Sequence, residues 1–156
     1  MKTTIRFLKS RVHSIIFIIL LVFAGISSCK KDYSNPGQQM PGTTSYSGNF
    51  VKSTANVMTS ASGTTTATFD PTTRALNYTL TWTGLSTNAI EMHFHDNVAG
   101  DGKIIIEING FPKATSGTVS GKATLTADQA NDLAAGKLYT QIHTENYPDG
   151  EILATL

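Results

Sequence analysis

Residues 76–82, Leu-Asn-Tyr-Thr-Leu-Thr-Trp, are the stretch of sequence that most clearly indicates the fold. Successive side chains of a β-strand point to opposite faces of its sheet. Strict alternation of apolar and polar residues therefore predicts a strand with one buried face and one solvated face. The apolar positions, which we expect in the core, are Leu76, Tyr78, Leu80 and Trp82.

Similar short runs, separated by turn residues, continue along the chain. Residues 90–95 and 138–143 alternate as well, and residues 103–108 form a short apolar run. Seven or eight short strands with frequent turns predict an all-β sandwich or a Greek-key barrel. The remaining predicted strands are residues 46–51, 65–69, 118–125 and 151–156, with a further short edge at 56–58.

One short helix is predicted between two of these strands. Thr126 is suited to cap its start, and Gln129 stands where a capping box has its second member. Residues 127–135 are rich in helix-forming residues, and Gly136 suits a C-terminal stop. We therefore expect a crossover helix in a protein that is otherwise all-β.

The first 28 residues have the features of an export signal. Residues 15–23 form an apolar run of nine, which is shorter than the roughly 20 residues of a bilayer-spanning helix. No acidic residue accompanies the basic residues before that run, which are Lys2, Arg6, Lys9 and Arg11. We interpret residues 1–28 as a signal peptide.

The signal ends at Ile26-Ser27-Ser28-Cys29, which resembles the lipobox of bacterial lipoproteins. That resemblance implies cleavage before Cys29 and acylation of its thiol and new N-terminus. Cys29 is the chain's single cysteine, so no internal disulfide can form, and a lipid thioether would account for it. Acyl chains contribute about 0.8 kcal/mol per buried CH2, so several of them would anchor the protein in a membrane. We expect a bacterial cell-envelope location, with the outer membrane favoured over the inner.

The mature chain would be mildly acidic. Removal of residues 1–28 takes away four of twelve basic residues and none of eleven acidic ones, which leaves a formal charge of −3. A chain without a basic patch is poorly suited to bind nucleic acid. Residues 29–44 are polar and rich in turn residues, which is typical of a flexible tether. Residues 45–156 are long enough for one domain with a single core.

Three histidines of the mature chain share a pattern. His93 and His95 are two positions apart in a predicted strand, so their side chains point to the same face. We expect Ile90, Met92 and Phe94 to face the core, so this pair faces outward. His143 takes the outward position in its own predicted strand. The fourth histidine, His13, lies in the predicted signal peptide.

The ordered motifs of the C-terminal half resemble the CHRD domain, a β module named from chordin. They are His-Phe-His at 93–95, Gly-Lys-Leu-Tyr at 136–139 and His-Thr-Glu-Asn-Tyr-Pro-Asp-Gly-Glu-Ile at 143–152. The resemblance covers about residues 46–156 and implies an immunoglobulin-like or Greek-key β fold. It implies no particular activity. Chordin repeats belong to an extracellular protein that binds growth factors, a partner that does not carry over to this chain.

The histidine pattern is also similar to that of the copper/zinc superoxide dismutases, in which a His-x-His strand and a late histidine bind copper outside a β-barrel. This chain has no further histidine to bridge two metals and no recognisable zinc cluster. A dinuclear dismutase is therefore not expected. Three imidazoles with an open fourth position suit copper or zinc.

Two hypotheses follow from the sequence. The favoured one is a lipid-anchored, non-enzymatic CHRD-type module that binds an unidentified protein or extracellular ligand. The alternative is a copper- or zinc-binding envelope protein that uses His93, His95 and His143. The three histidines could instead serve only as hydrogen-bonding residues at strand ends, and catalysis is the least favoured role. The distance between His143 and the pair His93 and His95 tests the metal-binding hypothesis. A metal site within one chain is excluded if that distance exceeds roughly 10 Å.

Overall fold

The computed structural model describes residues 42–97 and 102–156. The predicted signal peptide, Cys29 and most of the predicted tether lie outside these residues. Within them, nine strands form two antiparallel sheets, and one helix connects the sheets. The prediction of an all-β sandwich is confirmed. No helix of the described part is long and apolar enough to cross a bilayer.

The first sheet has four strands in the order β1-β3-β4-β7. The strands of this sheet are β1 (Thr44–Asn49), β3 (Ser62–Asp70), β4 (Ala75–Thr83) and β7 (Gly117–Thr124). Alternation in β4 places its apolar residues in the core as predicted, and Leu80 and Trp82 are almost fully buried. The opposite face of this sheet consists largely of exposed Thr and Ser side chains.

The second sheet has five strands in the order β2-β9-β8-β5-β6. The strands of this sheet are β2 (Val51–Lys52), β5 (Ala89–Asp96), β6 (Lys103–Glu107), β8 (Leu138–Thr144) and β9 (Ile152–Thr155). Its inner face packs against the first sheet, and the Tyr78 and Phe94 rings meet edge-to-face with centroids 5.0 Å apart. Such a contact adds about 1 kcal/mol to the area that the rings bury.

The helix α1 (Ala127–Ala134) carries the chain from β7 in one sheet to β8 in the other. Its start has the predicted capping box, in which the Thr126 hydroxyl accepts from the Gln129 backbone and the Gln129 side chain accepts from the Thr126 backbone. Leu133 anchors the helix in the core. Gly136 follows with φ of 68°, a conformation that glycine adopts without steric cost.

Three local predictions were wrong. The predicted strand at 46–51 is divided, because buried Phe50 marks the point where the chain passes from the first sheet to the second. Residues 56–58 form no strand, since Val57 instead packs into the interior from a turn. Ile90 is not in the core, because a bulge between Ala89 and Glu91 shifts the alternation and puts Ala89 there instead.

Candidate metal centre

The pairing of β5 with β8 brings the three histidines together. In this antiparallel ladder His95 lies opposite Tyr139, and Glu91 lies opposite His143. His93, between them, therefore has His143 as a diagonal neighbour on the same face. Met92 and Phe94 point into the core, so the histidines occupy the sheet's other face, as the sequence predicted.

The three imidazoles converge although His143 lies 50 residues after His93 in the sequence. One nitrogen from each ring lies within 4.8 Å of the other two. His93 Nδ1 and His143 Nε2 are 3.2 Å apart. The outward face does not mean exposure, because all three side chains are buried. The distance test set by the sequence is thus passed.

Two of the rings are held by backbone carbonyls on the side away from the cluster. His143 Nδ1 donates to the Pro148 carbonyl at 2.8 Å, and His95 Nδ1 donates to the Gly102 carbonyl at 2.6 Å. A carbonyl oxygen can only accept, so each Nδ1 must carry the proton. In the neutral rings, each Nε2 then presents a lone pair to the centre of the cluster.

His93 is held in the same manner with its two nitrogens exchanged. Its Nε2 lies 2.9 Å from Glu107 Oε2 on β6. An ionised carboxylate only accepts, so Nε2 carries a proton and Nδ1 of the neutral ring points its lone pair at His143 Nε2. Two lone pairs facing each other at 3.2 Å repel unless a proton or a metal cation lies between them.

His95 Nε2 has no such neighbour at hydrogen-bonding distance. It is buried and has no hydrogen-bond partner among the described residues. A buried polar atom without a partner costs about 1–3 kcal/mol, and proteins rarely retain one without a role. His95 is one of the three histidines whose ring nitrogens group together, so a cation held between the rings would give this nitrogen a partner.

The surroundings keep two of the imidazoles neutral and still favour a cation. Burial lowers the pKa of His95 and the pKa of His143, although the hydrogen bonds to Gly102 and Pro148 partly offset it. The charge of the neighbouring histidine lowers each of these pKa values further, while the fields of Glu107 at His95, and of Glu91 and Asp149 at His143, raise them. Neutral rings are what a metal ion requires of imidazole ligands.

The walls of the cluster come from β8 and the turn after it. The ring of Tyr139 stacks on His95 with centroids 4.9 Å apart. Gln141 donates from its side-chain amide to the Asp149 carbonyl at 3.1 Å, which ties the turn to the strand beneath. Gly150 has φ of 110°, and a Cβ at this position would collide with the Gln141 amide.

Alternation along the strand would put Tyr139, Gln141 and Glu145 on the face of His143. The first two do line the cluster, whereas Glu145 follows the end of β8 and is exposed. Glu107 was missed, because nothing in its own strand's pattern indicates which residue of β5 lies opposite. The two carbonyl acceptors were also missed. Every residue has a backbone carbonyl, so residue type does not show which one accepts a hydrogen bond.

Comparison with known proteins agrees with the fold. The family model that describes the CHRD domain matches residues 43–154. No curated protein and no solved structure matches the chain.

Proposed function

The chain belongs to the CHRD domain family, and we propose that this member binds one copper or zinc ion between His93 Nδ1, His95 Nε2 and His143 Nε2. The observation that carries the proposal is the set of three converging lone pairs. Each ring has its other nitrogen engaged by an outer group, namely Glu107, Gly102 or Pro148. Metal-binding histidines in proteins are oriented in this way by carboxylates and carbonyls behind them.

The donor set suits copper and zinc better than calcium or magnesium. Imidazole nitrogen binds copper and zinc well, whereas calcium and magnesium prefer oxygen. Zinc–nitrogen bonds of about 2.0–2.1 Å place tetrahedral ligand atoms about 3.3 Å apart. The His93–His143 separation of 3.2 Å already fits this spacing. The other separations are at most 4.8 Å, so a tetrahedral site requires the rings to close by up to about 1.5 Å.

Metal titration with elemental analysis tests the proposal. The purified protein should bind one equivalent of zinc or copper, and the His93→Ala, His95→Ala and His143→Ala variants should each bind it much more weakly. Thr124→Ala, at an exposed position on the other sheet, is the matched control and should bind like the parent. Unchanged binding in the triple alanine variant, or no binding by the parent, would refute the site.

We also propose that a lipid on Cys29 holds the module at a bacterial membrane, where it works as a binding module rather than an enzyme. The support is the Ile26-Ser27-Ser28-Cys29 sequence behind a short apolar run. Cys29→Ser should move the protein from the membrane fraction to the soluble fraction and abolish labelling by a radioactive fatty acid. Unchanged fractionation and labelling would rule out the anchor.

A further inference from the structure

The three imidazoles leave part of the proposed ion's coordination sphere open. Among residues 42–97 and 102–156, the His, Cys, Asp and Glu side chains grouped around one point are His93, His95 and His143. Zinc with three protein ligands takes its fourth ligand from solution. The chemistry of the site therefore depends on what reaches the ion and from which side.

One side of the cluster adjoins a cavity. It has a volume of about 570 Å³ and is lined by His95 and His143, by Tyr139 and Gln141, and by the turn residues Pro148 and Asp149. His93 does not line it, and the far nitrogen of that ring is covered by Glu107. A second cavity, of about 350 Å³, adjoins His93 but is lined by two carboxylates, Glu91 and Glu107, so an anion is better placed to approach between His95 and His143.

The charge of the site decides the class of ligand. Three neutral imidazoles leave both positive charges of a divalent ion uncompensated. The three nearby carboxylates are all exposed: Glu107 meets the outer side of His93 with its side chain 64% exposed, and Glu91 and Asp149 act on His143 only through their fields. Solvent screens an exposed carboxylate, whereas a ligand bonded to the ion interacts at about 2 Å with little screening. A monoanion is therefore favoured over a neutral ligand.

The burial of the imidazole rings limits the size of the ligand. The side chains that carry the nitrogens are at most 7% exposed, so the ion itself would lie beneath the surface. The stacked Tyr139 ring and the Gln141–Asp149 hydrogen bond keep the nearer walls in place. A ligand of two or three heavy atoms can enter such a space, whereas a bulky group would have to displace these walls.

We propose that the metal-loaded site takes a small monoanion as its fourth ligand, and that the anion enters through the cavity between Tyr139 and the turn at Pro148 and Asp149. This inference rests on the proposed metal site. It assigns the cluster a ligand-accepting role, in contrast to a closed site that only stabilises the fold.

Azide is the probe, because it is a small monoanion whose binding to copper(II) produces a charge-transfer band. Protein loaded with one equivalent of copper(II) should develop that band saturably, with one azide per ion and an altered electron paramagnetic resonance spectrum. Thr155 lines the cavity opposite Tyr139 in the strand register and is exposed. Thr155→Trp should therefore narrow the entrance and raise the azide dissociation constant about tenfold without changing copper affinity.

The matched control is Thr124→Trp, which replaces another exposed threonine at the end of a strand in the other sheet. It should change neither constant. If copper binds but azide leaves the spectra unchanged or removes the copper, the inference fails while the proposed metal site stands. If Thr155→Trp binds azide like the parent, the assigned entrance is wrong. If no copper binds, the metal site and this inference fall together.

Discussion

The rings of Tyr139 and His95 lie nearly parallel, with an interplanar angle of 8° across the β5–β8 ladder. This stack, together with the Gly102 carbonyl, fixes the plane of His95. Tyr139→Leu should remove the stack and free the ring to rotate. Aromatic pairs contribute about 0.5–1.5 kcal/mol, so zinc or copper affinity should fall up to about tenfold. Calorimetric titration checks this, with Tyr139→Phe as the control that keeps the stack. Equal losses in both variants would assign the effect to the hydroxyl.

Glu107 should tune the ion's affinity without binding it. The carboxylate polarises His93 through Nε2 and makes Nδ1 a better donor to a cation. Glu107→Gln can still accept that hydrogen bond but carries no charge, and metal affinity should fall by about 10–100-fold. Glu145→Gln, an exposed carboxylate just after β8, is the control for a general loss of negative charge. Equal effects of the two changes would mean that Glu107 acts only through long-range attraction.

Glu151 should stabilise the fold as a buried ionised carboxylate. It is fully buried and accepts hydrogen bonds from Thr59, from Thr144 and from both the hydroxyl and the backbone of Ser86. Hydrogen bonds to a charged group contribute about 1.5–3 kcal/mol each. Glu151→Gln turns amide hydrogens toward some of these donors, so the free energy of unfolding should fall by about 3 kcal/mol. Urea denaturation measures this free energy of unfolding. A loss below about 0.5 kcal/mol would contradict the stabilising role of the hydrogen bonds to Glu151.

The same residue predicts a pH dependence. Burial alone would raise the pKa of Glu151, but the hydrogen bonds from Thr59, Thr144 and Ser86 outweigh it and hold the pKa below the ordinary 4.5. Because the folded pKa is the lower one, the carboxylate's contribution is complete above pH 4.5 and is lost as the pH falls through the folded pKa. The stability gap between parent and Glu151→Gln should be constant near neutrality and shrink in acid. A gap that widens in acid would reverse the sign of the assigned shift.

Gly150 should tolerate no side chain, for a reason beyond its backbone angle. Gly150→Ala would meet both the strain of φ 110° and a collision with Gln141. Gly110→Ala is the matched control, since φ there is 76° but nothing lies within 4 Å of the added carbon. The control should lose about 1 kcal/mol of unfolding free energy, and Gly150→Ala about 1–3 kcal/mol more. If thermal or chemical denaturation showed that both variants lose the same unfolding free energy, backbone strain alone would explain the loss.

Much of the fold follows from local chemistry and was therefore predictable. The alternation at residues 76–82 identifies the inner face of β4, and Thr126 with Gln129 identifies the start of α1. The exceptions depend on contacts that local pattern does not contain. The predicted strand at residues 46–51 is divided at Phe50, because this side chain is buried in the core where the chain passes to the second sheet. The bulge at Ala89 and Glu91 likewise depends on the partner strand β8.

The three histidines of the site could be predicted from the sequence, but their proximity and their contact with Glu107 could not. The spacing of His93 and His95 fixes a common face, and the outward position of His143 follows from its own strand. Their proximity required β5 and β8 to be neighbours in one register, which sequence spacing cannot supply. Glu107 required in addition the bulge between Phe94 and His95, which shifts β6 so that this carboxylate lies opposite His93.

The alternation of β5 also bears on how such a family diversifies. Met92 and Phe94 pack in the core on one side of the strand, while His93 and His95 lie in the cluster on the other side. Replacement of the histidines would leave the packing of the two sheets intact, and changes among the core residues can spare the cluster. A few point mutations could therefore alter this chemistry while the same scaffold is kept.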